Sequence, residues 1–319
     1  MIRFLVTRGH GYTLKQVRKS SAAPSLEVLN YDALIRARWL RHATYIFADL
    51  DRLGPQDLEF AAQLYLQMKD RGLPVWNNPA RVKTRYALLR ALCAAGLNDF
   101  NIHRADELDS SIRFPVFLRN VHGHTSPLTD LLHNRQDTQK ALETAVSEGT
   151  PAEHVVAVEF AAEPVRPGLY RKLAAFRIGD SIAPHTSVHD TSWLVKYGKI
   201  GIAGDELYRE ESALIRDNPF ADHLRKVFEL ANIEYGRVDF GIYRGRIQVY
   251  EINTNPALHA PLPHPSPVRV ENLRLMWAEY LRALKALDSK GGPMVRLDDG
   301  KLQRSRPWKN LFVRTRKGL

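Results

Sequence analysis

Apolar positions along the chain follow two periods. Ile2–Val6, Leu26–Leu29, Thr44–Ala48 and Pro74–Trp76 are short apolar runs that read as strands. Between the last two, Pro55–Arg71 carries Leu58, Ala61, Leu64, Tyr65 and Met68 at helical spacing, with Pro55 suited to the first turn. Asn77-Asn78-Pro79 then opens a helix expected over Ala80–Ala95 and closed by Gly96. Strands alternating with helices predict an α/β layer with a parallel sheet.

From Asn101 the pattern shifts to short strands, with Arg113–Asn120 and Val155–Phe160 on either side of a helix over Asp137–Glu148. Leu169–Ile182 reads as a hairpin turning at Gly179-Asp180. Helices are expected at Asp205–Arg216, at Ala221–Asn232 and, long and amphipathic, at Val268–Leu287. A second hairpin joins Arg237–Tyr243 to Arg246–Asn253 through Arg244-Gly245. There are no internal repeats.

The second hairpin carries the chemistry. Asp239 lies inside its first strand, and Glu251, Asn253 and Asn255 end the second at alternate positions, hence on one face. A plain two-residue turn at Arg244-Gly245 sets Asp239 beside Tyr250 and turns Glu251 to the opposite face. An odd-numbered loop, or a bulge, sets Asp239 across from Glu251. Two facing carboxylates repel unless a cation lies between them, and with the Asn253 amide oxygen the donors are all hard oxygen, suiting Mg²⁺ or Mn²⁺ better than zinc.

The run from Asp239-Phe240 to Glu251-Ile-Asn-Thr-Asn-Pro256 resembles the metal-binding signature of the ATP-grasp superfamily, which includes glutathione synthetases, D-alanine ligases and ribosomal-protein glutamate ligases. The resemblance implies an ATP-grasp fold (α/β, α+β) and makes Asp239, Glu251 and Asn253 the ligands of the Mg²⁺ that bridges ATP phosphates. It places Arg85, or alternatively Lys83, at the first ATP-contacting cation. Arg119 falls at the second, where the family has Lys, and is followed by a glycine loop at Val121–Ser126. Glu159, Phe160 and Ala161 fall at the hinge whose backbone meets adenine, Glu163 at the ribose, and Arg171 and Lys196 at cations facing substrate or acyl-phosphate. Fixed cations stabilise the charge of a transferring phosphoryl group best where water is scarce.

Composition narrows the class further. With 319 residues, 44% hydrophobic and 25% charged, the chain is that of a soluble globular protein, expected in the cytoplasm and without a membrane span. No Walker A sequence occurs, and Gly9 and Gly11 lack the third glycine of a dinucleotide loop. One cysteine, Cys93, excludes an internal disulfide framework and reads as a buried thiol. His122 and His124 lack a third partner at metal spacing. The lobes are expected as 1–100 (N-terminal α/β), 101–162 (central), 163–288 (C-terminal, with the metal site) and 289–319 (basic tail). That tail carries +7 of the net +11, and a solvated tail is its default state, with nucleic acid or an acidic partner as alternatives and docking through Trp308, Leu311, Phe312 and Val313 another. The expected activity is an ADP-forming carboxylate–amine ligase acting on amino-acid or peptide-like substrates. A kinase on the same fold and a non-catalytic binder of acidic partners are the competing classes.

Overall fold

The computed structural model describes residues 1–298, apart from 36, 107, 109, 124 and 125, together with Leu302. The first lobe contains β1 (Ile2–Val6), α1 (Lys15–Lys19), β2 (Leu26–Asn30), α2 (Tyr31–Leu34), β3 (Trp39–Leu40), β4 (Thr44–Phe47), α3 (Pro55–Asp70) and β5 (Val75–Trp76). Its sheet is parallel, ordered β2-β1-β4-β5. β1 is buried along its whole length, as a strand covered on both faces is, and its one charged residue, Arg3, is paired with Glu27 and donates to the Tyr45 hydroxyl. Phe60, Ala61, Leu64 and Met68 of α3 pack on one face with Leu5, Tyr45 and Phe47.

The central lobe follows α4 (Arg85–Ala94), which starts later than the expected Ala80. Asn78 intervenes: its side chain accepts the Ala80 N–H at 3.0 Å and its carbonyl accepts those of Arg81 and Val82, a local turn that competes with helix. Thr84 is extended and Arg85 becomes the first helical residue. Then come β6 (Ile102–Arg104), β7 (Val116–Asn120), α5 (Arg135–Ser147) and β8 (Val155–Glu159), with an antiparallel sheet ordered β6-β8-β7. Cys93 is partly exposed rather than fully buried.

The third lobe contains β9 (Pro164–Arg166), β10 (Leu169–Ile178), β11 (Ser181–Asp190), α6 (Asp205–Asp217), α7 (Ala221–Ala231), β12 (Tyr235–Tyr243), β13 (Arg246–Asn253) and α8 (Pro267–Ala286). Its sheet runs β11-β10-β12-β13, with β9 on β10. β11 continues well past the expected Ile182. Met276, Tyr280, Leu281 and Leu284 of α8 join Ile2, Phe4 and Val6 of β1 to Phe176, Ile178 and Tyr235, so a single core spans the first and third lobes. Within it the Tyr235 and Tyr280 hydroxyls meet at 2.8 Å.

Not all of the segment from residue 289 is tail. β14 (Val295–Arg296) pairs antiparallel with β3, and Leu297 and Leu302 are buried in the core beside α3. A lobe boundary at 288 therefore cuts through packed structure, whereas Trp308, Leu311, Phe312 and Val313 lie outside the described residues. Among the described residues no helix is long and apolar enough to cross a membrane.

Candidate active site

The hairpin of β12 and β13 reaches its register through a bulge. Tyr243 pairs with Arg246 around a two-residue turn in which Arg244 (φ 51°) and Gly245 (φ 73°) are both left-handed, the combination such turns require. Phe240 pairs with Val249, but Asp239 pairs with Glu251, so Tyr250 is the extra residue. Gly241 makes room for it, since a methyl group there would collide with the Tyr250 ring. The Tyr250 hydroxyl donates to the Ala161 carbonyl at 3.2 Å, tying the bulge to the segment after β8.

Asp239 is 2% exposed and sits between two cations. Arg237 donates to it at 2.7 and 3.2 Å, and Lys172 Nζ lies 2.9 Å away. Burial pushes this carboxyl up, but Arg237 and then Lys172 outweigh it and hold it at about 2. Glu251 receives Arg85 at 2.7 Å on Oε2. Asn253 Oδ1 accepts the Asn255 N–H at 2.9 Å. Asn255 itself turns away to the first lobe: it accepts from Thr13 at 2.7 Å and donates to Asp49 at 2.9 Å and to the His10 carbonyl at 3.2 Å.

A cleft of about 320 Å³ is lined by Arg85, Arg119, Glu159, Phe160, Ala161, Glu163, Arg171, Lys196, Asp239, Glu251 and Asn253. Lys83 is not among them, because its ammonium donates to the Leu230 carbonyl at 2.9 Å and closes the end of α7. Two groups of side chains line the cleft. One is aromatic, with Trp193 packed against Phe117 (centroids 5.0 Å) and edge-on to Phe160 (5.5 Å). The other is charged and adds Lys172, Arg237 and Arg52, which sequence reasoning missed. The one available signal was the Arg237-x-Asp239 spacing, which puts both on one strand face.

Arg85 and Arg119 both reach the loop after β7. Arg85 donates to the Val121 and Gly123 carbonyls at 2.9 Å each, and Arg119 to Gly123 at 3.2 Å. Burial and then Arg85 lower Arg119 to about 10, with Glu251 opposing. The Nε atoms of both guanidiniums are buried without a partner. Such orphaned donors suit an anionic ligand.

Glu159 is an anchor by its side chain, accepting from Arg113 Nε (3.0 Å), the Arg113 and Asn101 amides (2.9 Å each) and His103 (3.3 Å). The Phe160 N–H is committed to the Pro115 carbonyl at 2.9 Å. The Phe160 carbonyl and Ala161 N–H have no such bond among the described residues. Arg171 pairs with Glu210 of α6 at 2.8 Å, whereas the Lys196 ammonium meets only the Tyr197 ring, at 5.3 Å, among the described residues, its carbonyl accepting from Lys172 at 3.5 Å. No group of three or more His, Cys, Asp or Glu that could hold a metal occurs among the described residues; His122 stacks edge-on against His154, and His124 lies outside them. Asp239, Glu251 and Asn253 still fit a hard cation as a set. Each donor is oxygen, and Glu251 Oε1 accepts no hydrogen bond among the described residues.

A parallel α/β lobe precedes two antiparallel lobes, and the cleft is lined from both of these. This order of lobes, with the cleft between the last two, is the one that the resemblance of the hairpin to the ATP-grasp signature leads one to expect. No protein-family model matches the chain, and no curated protein does. Among solved structures, D-alanine–D-alanine ligase from Bacillus anthracis, in one structure complexed with ATP, aligns at 12% identity over 89% of this chain and 98% of that chain, with a TM-score of 0.47. A second structure of the same ligase aligns with the same values.

Proposed function

We propose that the chain is an ATP-dependent, ADP-forming carboxylate–amine ligase acting on amino-acid or peptide-like substrates. The observation that carries this reading is the Tyr250 bulge, which sets Asp239 across from Glu251 in a cleft that is aromatic in one part and cationic in another. Phe117, Phe160 and Trp193 would enclose the base. The Phe160 carbonyl and Ala161 N–H offer it an acceptor and a donor, and Glu163 is placed for the ribose. Arg85 and Arg119 would grip the phosphates. Asp239, Glu251 and Asn253 would hold Mg²⁺ or Mn²⁺, which when bound neutralises phosphate charge.

Arg171, Lys172, Lys196 and Arg237 line the remaining charged wall. They would orient the substrate carboxylate and balance charge on the transferring phosphoryl group. The carboxylate oxygen attacks the terminal phosphorus, whose bond to the bridging oxygen breaks as ADP leaves. An amine then attacks the acyl carbon, and inorganic phosphate departs.

The test is a nucleotide-release screen over a panel of amino acids and short peptides. ADP release that requires both an acid and an amine supports the proposal. AMP release excludes it, and ADP release without an amine, yielding a stable phosphorylated product, assigns a kinase instead.

A further inference from the structure

Charge is divided unevenly along the chain. Residues 1–100 carry 15 Lys/Arg against 8 Asp/Glu, and residues 289–319 carry 9 against 2, a surplus of +7 in each. The residues between them, 101–288, carry 22 against 25. Folding joins the two basic portions, because β14 pairs with β3 and Leu297 and Leu302 are buried in the first lobe's core. The residues between the two basic portions are slightly acidic in sum, whereas the described start of the second portion, with Arg296, lies on the first lobe.

The seam between β3 and β14 has a defined surface. Trp39 is 54% exposed, and exposed Arg296 is its direct partner in the pairing. Arg38 and Arg41, on either side of β3, are exposed as well. Gln67 bonds the Asp298 backbone in both directions, at 3.1 and 2.8 Å, which brings the end of α3 with exposed Lys69 and Arg71 to the same edge. Other cations of this lobe are neutralised, Arg3 by Glu27 and Arg8 by Asp32. Arg38, Arg41 and Arg296 have no carboxylate partner among the described residues.

We propose that this seam binds single-stranded nucleic acid, with a base stacked on Trp39 and phosphates held by Arg38, Arg41 and Arg296. A half-exposed indole, paired across the seam with Arg296 and close in sequence to two further guanidiniums, supplies both parts of such binding: a π-face that accepts any base and charges that track the backbone. Duplex fits less well, since an indole can stack only on a base that is not already paired and stacked within a helix, and strands of two residues each are short for a ribbon in a major groove. An acidic protein would use the cations and leave the indole idle. Beyond the seam, residues 299–319 add 7 Lys/Arg against 1 Asp in sequence. The proposal does not depend on the ligase reading.

The test is fluorescence anisotropy of labelled oligo-U and oligo-dT titrated with the full chain at several salt concentrations. Binding should weaken with salt. Trp39→Ala should weaken it about tenfold, within the range of one lost base stack, while Trp39→Phe keeps most of it. Replacing Arg38, Arg41 and Arg296 with Gln should flatten the log–log salt slope by about 2, at roughly 0.7 per phosphate contact. Matched melting curves exclude unfolding of the variants. No binding at low salt, or equal binding by wild type and both sets of variants, overturns the proposal. So does polyglutamate that displaces the oligonucleotide and binds Trp39→Ala as tightly as wild type, which assigns the seam to an acidic protein.

Discussion

Arg85 and Glu251 are joined at 2.7 Å across the cleft, one from the first residue of α4 and the other from the end of β13. The same guanidinium holds the Val121 and Gly123 carbonyls, so one side chain links the loop after β7 to the last strand of the third lobe. With Arg237 and Lys172 on Asp239, three cations already balance the two acids. A free divalent cation therefore gains little by entering, and a polyphosphate must accompany it. Mn²⁺ titrated into nucleotide-free protein and followed by electron paramagnetic resonance should bind weakly. With a non-hydrolysable ATP analogue it should bind at least about tenfold more tightly, a coupling of about 1.4 kcal/mol. Arg85→Ala should narrow that gap, and equal affinities with and without nucleotide in the wild type would contradict the charge argument.

The bulge gives a second prediction. Because a side chain at Gly241 would strike the Tyr250 ring, Gly241→Ala should displace Tyr250, break its bond to Ala161 and turn Glu251 from Asp239. Overpacking of this kind costs about 1–3 kcal/mol. Nucleotide affinity should fall in the folded variant, and Tyr250→Ala on the Gly241→Ala background should recover much of the lost stability. Unchanged melting temperature and nucleotide affinity in Gly241→Ala would show that the ring has free space.

Acid should act on the fold in two windows. His185 and His189 are each lowered to about 4, first by burial and then by Arg237 and Arg171 respectively. The unfolded chain takes up these protons near pH ~6.5, so stability declines from there down to about 4. Glu159 and Asp239 are held at about 2; burial raises both, but His103 and Arg113 at the first and Arg237 and Lys172 at the second outweigh it. Their contribution is complete above roughly pH 4.3 and is lost as pH falls toward about 2. Urea denaturation across this range should show both slopes, and His185→Gln should reduce the upper one alone.

Truncation should separate packed structure from tail. A chain ending at Leu302 should melt near the full-length protein. One ending at Ser289 loses the burial of Leu297 and Leu302, worth about 1.5–3 kcal/mol each, and its melting temperature should drop by several degrees. Equal melting of the two would mean that β14 contributes nothing to the first lobe.

The hairpin of β12 and β13 was legible because Glu251, Asn253 and Asn255 sit at alternate positions, which a strand puts on one face regardless of context. The choice between bulge and longer loop was not, since Arg244-Gly245 satisfies a tight turn and says nothing of Tyr250; only Gly241 hinted at where the extra residue would fit. Lys172 was hidden because its approach to Asp239 depends on the pairing of β10 with β12, far apart in sequence. Glu159 was placed at the hinge by position, but its partners come from residues 101, 103 and 113, whose convergence no local pattern announces. α4 started late because Asn78 folds a turn that a helix start signal resembles.

Asn255 sets the mutational tolerance of the signature. Its amide gives a proton to Asp49 and takes one from Thr13, so the two ends of the group are chemically distinct and both are in use. An Asn255→Asp change alters neither size nor shape, yet it would turn the donor facing Asp49 into a second carboxylate, buried beside a residue that is 3% exposed. Two positions earlier, at Asn253, the same change would add another anionic oxygen to the proposed metal donors. Identical substitutions two positions apart should therefore meet opposite selection, with Asn255 the less forgiving.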